Sequence, residues 1–550
     1  MQKNNFFKLI VYIGVILLLY LTILSVFVKT PEMLNIPSYI VVCVEIVFLF
    51  IVMGLLYFFY KKCKPLSSKI FSIVLALAAL IPRIIWVVFI DTAPTSDFYG
   101  YNNYAINASK GYFQLYGDVY PLFPFKFGYS LILSVLYRIF GTDIIVAKLF
   151  NVALSVGTVF LVYKLGEKIF NERSGRIAGL IFSFWPAQIM YNSVAASEHI
   201  FMLFFLLAVW FFILVETNEK NARNYILAAA SGSMIALAYL IRPVSMILIP
   251  ILILCLFVFW KEDRRGKSSK QNKQRVSPEI NINSSKAASK GPSKRASNTA
   301  ANSTSNNTLK NASTNTTLKK TLNTIWKPIT GNKIKISFAV LASAVITVAV
   351  VDLTVGNLLG VRLWRSSSGF SFYIGTNYES SGMYSAKDEE IIQEFDYDFK
   401  EVHGQATKRA IERIVSQPMN FLRLIEKKFI IQWTNEDYGY YWSMYELYST
   451  NDISSFVLSH PRAFLGTSQI YYIAIIVLAA AGTIYIKRHS IYPAAAIHLL
   501  FFAFVGAHTL FEVQSRYHYP VIPFLTILGG YGGEQVIGKL LARKPFSPKS

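Results

Sequence analysis

Long apolar blocks separated by short polar stretches run through almost the whole chain. Each block extends over roughly 18 to 23 residues, the length a helix needs to cross a hydrocarbon core of about 30 Å. This pattern predicts twelve spans, at 7–28, 38–60, 69–90, 143–165, 175–192, 199–216, 224–240, 243–261, 334–354, 469–486, 490–510 and 517–537. The block Phe6 to Val28 has no small-residue cleavage site and exceeds a signal-peptide core, so it is read as a span. Residues 125–141 are apolar but short, and they are expected to form an interfacial or re-entrant helix on the outer face.

Three stretches break the apolar pattern. Residues 91–142 form a polar, aromatic-rich outer loop. Residues 262–333, rich in Ser, Asn, Thr and Lys, lack any hydrophobic period and are expected to be a disordered cytoplasmic loop. Residues 355–468 mix polar and aromatic positions over a length sufficient for a small outer domain or lid, with a helical period from Gly404 to Phe429 interrupted at Pro418. The expected organisation is therefore two N-terminal spans (1–68), a membrane core (69–261), the basic loop, one span (334–354), the extracytoplasmic region, the last spans (469–537) and a cytoplasmic tail (538–550).

Composition agrees with this division. Hydrophobic residues make up 53% of the 550 positions and charged ones only 15%, too few to cover a soluble domain of that size; mean hydropathy is +0.41. The net charge of +23 does not point to nucleic acid, because residues 261–335 alone hold 17 Lys and Arg against 3 acidic residues. The other basic clusters (Lys61, Lys62, Lys64 and Lys69; Lys164, Lys168, Arg173 and Arg176; Lys220 and Arg223; Lys487 and Arg488; Arg543, Lys544 and Lys549) fall on one side when both termini are cytoplasmic. Cys43, Cys63 and Cys255 lie in or beside apolar blocks without metal-ligand spacing, so neither a disulfide framework nor a zinc knuckle is expected.

The candidate chemistry gathers on the opposite, outer side. Asp91 and Asp97 follow the third span, and a carboxylate at an interface can act as a general base on a hydroxyl, although caps and loop solvation also use Asp. Glu198 sits at an outer span end in SVAASEHIF, where a charge is costly. Lys126, Arg242 and Arg516 each lie beside an apolar wall on that side, suited to a lipid-linked phosphate or, more plainly, to anchoring a span. No nucleotide fingerprint or Gly-rich phosphate loop is present, so an enzyme here would use a donor that needs no nucleotide site.

The acidic residue followed by Tyr after an early span, the stretches YPLFPFKFGYSLILSVLYRIFG and KLGEKIFNERSGRIAGLIFSFWPAQ, and the final SRYHYPVIPF together resemble the GT-C glycosyltransferases. The resemblance is to the bacterial protein-mannosyltransferase-like group, which is also similar to the aminoarabinose transferases, and it covers most of 69–260 and 334–537. It implies an all-α, polytopic, GT-C-like fold with about 12 transmembrane helices, outer interfacial helices and a mixed extracytoplasmic region. It further implies inverting transfer of a sugar from a polyprenyl-phosphate donor to a protein or cell-envelope glycan acceptor outside a bacterial plasma membrane. In that family pattern Asp97 is the base, with Phe98 standing where relatives often carry a second acid. Glu198 takes the second acidic position, and Lys126 and Arg516 face the carrier phosphate. Arg242 joins them from topology. Tyr101, Tyr129, Tyr373, Asn377 and Tyr378 are the candidate sugar or acceptor contacts. No metal cluster or cofactor is required by these residues, and a divalent cation is compatible with them. A flippase for lipid-linked glycans and a surface-polysaccharide polymerase or ligase remain the alternative functions.

Overall fold

The computed structural model describes residues 2–63, 66–216, 221–258, 331–487 and 490–542. Most of the expected disordered loop, residues 262–330, and residues 543–550 of the tail lie outside these. Among the described residues all regular structure is helical, the only β feature being an isolated bridge between Thr92 and Leu447.

Seven helical runs are long and apolar enough to cross a membrane: Asn5–Leu34, Ser38–Phe58, Ser68–Phe89, Ile144–Ile169, Gly331–Leu359, Pro461–Ile484 and Ile491–Leu510. All seven overlap spans expected from hydropathy, and the chain is a multi-pass membrane protein. Glu198–Ile213 and Pro243–Phe257 are shorter apolar helices. Local chemistry sets several boundaries. Asp143 caps Ile144–Ile169 by accepting from the Ile145 amide, and Asn171 caps Glu172–Ser183 by accepting from that of Ser174.

Several expected spans differ in detail. Segment 175–192 is two short helices, Glu172–Ser183 and Pro186–Tyr191, because Pro186 has no amide to continue the first. The free carbonyl of Ser183 then accepts from buried Arg83, whose guanidinium also reaches the Ala79 carbonyl, Ser155 and Gln188. Arg83 is thereby satisfied inside the bundle as a structural group. The ninth span starts at Gly331 rather than 334 and extends through a π-helical turn at Asp352–Gly356. The tenth begins at Pro461, eight residues early, where proline suits a first helical position. The last begins at Ile522, after the 3-10 turn Ser515–His518, since Pro520 and Pro523 supply no amides for earlier helical bonds. Lys126–Phe140 has 15 residues and a rise of about 22 Å, short of a full crossing. It packs against Ser96–Ser109.

The C-terminal spans hold the bundle together through small residues. Pro461–Ile484 and Ile522–Ala542 approach so closely at Gly482 and Gly532 that a Cβ on either would strike the other helix's backbone. The N-terminal helix packs across Pro461–Ile484 and Ile491–Leu510, with Phe7 edge-on to Tyr492 at 5.0 Å. Residues 355–468, expected to form an extracytoplasmic region, contain the helices Ser368–Gly375, Ala386–Glu394, Phe399–Ser416, Pro418–Trp433, Tyr438–Met444 and Asp452–Ser459. Pro418 does not merely interrupt a helix; it opens the next one.

Lys428 locks these helices to the bundle. It is 2% exposed, and its Nζ donates to the Gly375 carbonyl at 2.7 Å and to that of Thr509 at 3.0 Å. Burial pushes its ammonium down to about 7, against the opposing pull of Glu512. Between about pH 7 and the ordinary lysine range the unfolded chain therefore binds a proton that the folded one does not, so this contribution to stability rises with pH. Thermal unfolding of Lys428→Met across that window should show a weaker rise than wild type; an identical slope would contradict the assignment.

Candidate active site

The C-terminal end of Ser68–Phe89 leads into an extended segment pinned by Thr92, whose hydroxyl donates to the Ser443 carbonyl at 2.7 Å, and by the Ala93 amide on the Glu446 carbonyl at 2.8 Å. Asp91, at the head of this segment, is held by Lys148 at 3.1 Å and by Ser449 at 2.9 Å. The chain then turns through Ser96, which adopts a positive φ of 50°, an unfavourable state for a residue with a Cβ. That turn places Asp97 in the first turn of Ser96–Ser109, where the helix N-terminus favours an anion.

Four other expected residues converge on Asp97 from four further parts of the chain. Lys126, at the start of its helix after Pro124, lies 2.9 Å from Asp97 Oδ1. Arg516, in the turn Ser515–His518, lies 3.8 Å from Asp97 Oδ2 and 3.6 Å from Glu198 Oε1. Arg242 contacts Glu198 at 2.7 Å and donates to Ser197 Oγ at 3.2 Å. The result is a continuous row, Lys126–Asp97–Arg516–Glu198–Arg242, of three cations and two carboxylates, with a net charge of +1.

Access differs sharply along this row. The Asp97 side chain is 37% exposed, whereas those of Glu198 and Arg516 are each 4% exposed. Burial raises the Asp97 carboxyl, but Lys126, Arg516 and Arg242 outweigh it and hold the group below the ordinary carboxylate range. Glu198 is clamped between two guanidiniums and fixes their positions, while Asp97 is the carboxylate that an incoming molecule can reach.

The expected substrate contacts divide into two sets. Tyr101 and Tyr129 are buried beside the row, their rings edge-on at 5.6 Å; the Tyr129 hydroxyl has no hydrogen-bond partner among the described residues. Tyr373, Asn377 and Tyr378 make their contacts with residues other than those of the row. Tyr373 lies buried beneath Arg413, 3.9 Å from its Cζ, Asn377 donates to Asp388 at 2.8 Å, and Tyr378 sits under Lys427. Their polar and aromatic groups join the outer helices to one another. The same loop braces the site from behind, its Ser371 and Gly382 carbonyls accepting from the amides of Glu512 and Val513.

Sequence reading marked Phe98, but not Trp442, among the groups that hold Arg516. Its Cζ lies 5.1 Å from the ring centres of both Phe98 and Trp442, the position of the missing second acid being used for an aromatic wall. Below it, fully buried His518 contacts Glu436 at 2.8 Å, and Glu436 also accepts from the Trp185 indole at 2.7 Å and from nothing nearby in sequence. Separations of 82 residues or more leave no local pattern to find such a set. Glu512, whose carboxyl burial raises, accepts from Gln514 at 3.0 Å beside the row. Among the described residues no group of three or more His, Cys, Asp and Glu is placed to hold a metal ion.

Residues 125–275 match the family model described as dolichyl-phosphate-mannose-protein mannosyltransferase. The matched stretch includes Lys126, Tyr129, Glu198 and Arg242, but not Asp97 or Arg516. No curated protein matches the chain significantly. Among solved structures, the archaeal oligosaccharyltransferase AglB from Archaeoglobus fulgidus, in complex with an inhibitory peptide and a dolichol-phosphate, is similar at 14% identity and a TM-score of 0.42. That likeness covers 89% of this chain and 53% of AglB, so the chain spans about half the length of that protein. ArnT from Cupriavidus metallidurans, bound to undecaprenyl phosphate, is similar at 10% identity and a TM-score of 0.32, over 88% of this chain and 82% of ArnT. The resemblance first carried by short motifs is thus met by a family match: over residues 125–275 this multi-pass membrane protein resembles the dolichyl-phosphate-mannose-protein mannosyltransferases.

Proposed function

We propose that the protein is a glycosyltransferase that moves a sugar from a polyprenyl-phosphate carrier to a hydroxyl acceptor on the outer face of a bacterial plasma membrane, with Asp97 as general base. The observation that carries this reading is the row of Lys126, Arg516 and Arg242 interleaved with Asp97 and Glu198. Its net charge of +1 matches the single negative charge of a phosphodiester joining a lipid to a sugar. A diphosphate carrier would leave an excess of negative charge in a partly dry site.

In the reaction, Asp97 accepts the proton of the acceptor hydroxyl as its oxygen attacks the anomeric carbon. The bond from that carbon to the phosphate oxygen breaks from the opposite side, so the configuration inverts. The electron pair leaves on the lipid phosphate, where Lys126, Arg516 and Arg242 meet the developing charge. Donor binding also prepares the base. A phosphate drawing on Lys126 and Arg516 relaxes their hold on Asp97 and raises its proton affinity toward the ordinary range, improving it as a base only when the donor is in place.

An apolar cavity of about 420 Å³ lies within the bundle; its lining includes Leu248, six residues after Arg242, but also Lys168, Ile169 and Tyr492 at the opposite, basic end of the spans, so it is not assigned to the donor. The row stands at the ends of spans remote from Lys164 and Lys168, and that separation supports an outer location under the positive-inside rule. No cofactor enters this scheme, and a divalent cation supplementing the basic groups is compatible with it.

The donor class is tested by titrating the reconstituted protein with polyprenyl monophosphate and diphosphate. Saturable binding should favour the monophosphate, and Lys126→Met should weaken it about tenfold or more, as expected for a lost charge-assisted contact. Preference for the diphosphate, or no effect of Lys126→Met, would argue instead for a ligase or flippase of larger lipid-linked glycans.

A further inference from the structure

The acceptor must reach Asp97 from the outside, and the surface next to Asp97 on that side is aromatic. Phe98 and Trp442 flank Arg516 and meet edge-on at 5.1 Å. From Trp442 the rings continue outward: Tyr441 lies 5.1 Å from Trp442, and Tyr445 lies 5.4 Å from Tyr441 and 5.9 Å from Trp442. Tyr441 and Tyr445 are 49% and 57% exposed, one helical turn apart at the end of Tyr438–Met444. The geometry points to this ladder as an acceptor subsite for a neutral oligosaccharide chain, an inference that rests on the transferase reading above.

Three features select that occupant. The exposed rings of Tyr441 and Tyr445, tilted 50° to one another, can each take the C–H face of a pyranose unit, while Trp442 and buried Phe98 link them edge-on to Arg516 beside the reacting carboxylate. Exposed Glu446 follows Tyr445 in the chain, and half-buried Asp437, which accepts from Ser515 and Asn435, lies one turn before Tyr441, so two carboxylates accompany the rings. Those same carboxylates disfavour a phosphate- or uronate-bearing polymer, since each anionic unit would lie near a like charge. A bilayer-interface belt also uses Tyr and Trp, but it has no reason to begin on Arg516 beside Asp97.

The test needs no donor, so its failure is separable from failure of the transferase reading. Purified full-length protein in detergent is titrated with neutral gluco-, manno-, galacto- and N-acetylglucosamine hexasaccharides, with a polyglucuronate hexasaccharide and a Ser/Thr-rich peptide as comparisons, following tryptophan emission. At least one neutral hexasaccharide should bind saturably, with its monosaccharide far weaker. Tyr441→Ala and Tyr445→Ala, both at exposed positions, should each weaken binding about three- to tenfold, and Trp442→Phe should remove the emission change. No saturable binding of any neutral oligosaccharide, tighter binding of the peptide or the polyuronate, or indifference to both tyrosine substitutions would overturn the assignment.

Discussion

Asp97→Asn should lower the rate of sugar transfer by about 10²–10⁴-fold, the usual scale for loss of a positioned general base. The amide keeps the size and the helix-start position of Asp97 but cannot take the acceptor proton. Because the substitution also frees Lys126 from its 2.9 Å partner, donor affinity should hold or increase, so the loss falls on turnover rather than on binding. The pH profile gives an independent sign. The neighbouring cations hold the Asp97 carboxyl below the ordinary carboxylate range in the free protein, so it stays ionised under acidity that protonates an ordinary Asp. Its ion pairs contribute stability that is present above the unfolded-state value and is lost only as pH falls through the lower folded one. Asp97→Asn should remove that acid limb.

The second large effect is expected at Arg516. It is the member of the row that touches both carboxylates, and it is 4% exposed between Phe98 and Trp442. Arg516→Ala should cost about 1–3 kcal/mol of stability, as for buried polar groups losing one partner, because Glu198 keeps Arg242 and Asp97 keeps Lys126. Arg516→Lys should restore much of the fold but little of the activity: a single ammonium cannot span two carboxylates and also fill the flat slot between two rings. Transfer by the lysine variant should remain about 10²–10³-fold reduced, as for a lost oxyanion donor. Detergent-resistant thermal unfolding and transfer rate, measured on both variants, separate the two roles. Near-wild-type transfer with lysine would show that Arg516 supplies charge without geometry.

These two residues also show what the sequence makes legible. Asp97, Lys126, Glu198, Arg242 and Arg516 stand out because each is a charge beside an apolar wall, and topology puts all five on one side. Spans were legible wherever hydropathy is continuous. Three of the boundaries that moved did so at prolines: Pro186 divides one expected span, Pro461 opens another, and Pro520 and Pro523 delay the last, which begins at Ile522. What could not be read is whatever depends on contact between distant elements. Tyr373 and Asn377 have the composition of a sugar surface, yet Arg413 and Asp388 claim them for packing. Glu436 carries no local motif, and its meaning appears only when His518 and Trp185 arrive beside it.

The most direct test of the central claim is transfer by proteoliposomes loaded from outside with a panel of radiolabelled polyprenyl-phosphate monosaccharides, wild type beside Asp97→Asn. The account predicts release of free polyprenyl phosphate and an inverted glycosidic product from wild type with at least one donor, and neither from Asp97→Asn at equal membrane incorporation. Equal release by both proteins, or movement of the intact lipid-linked sugar across the bilayer without release, would contradict it.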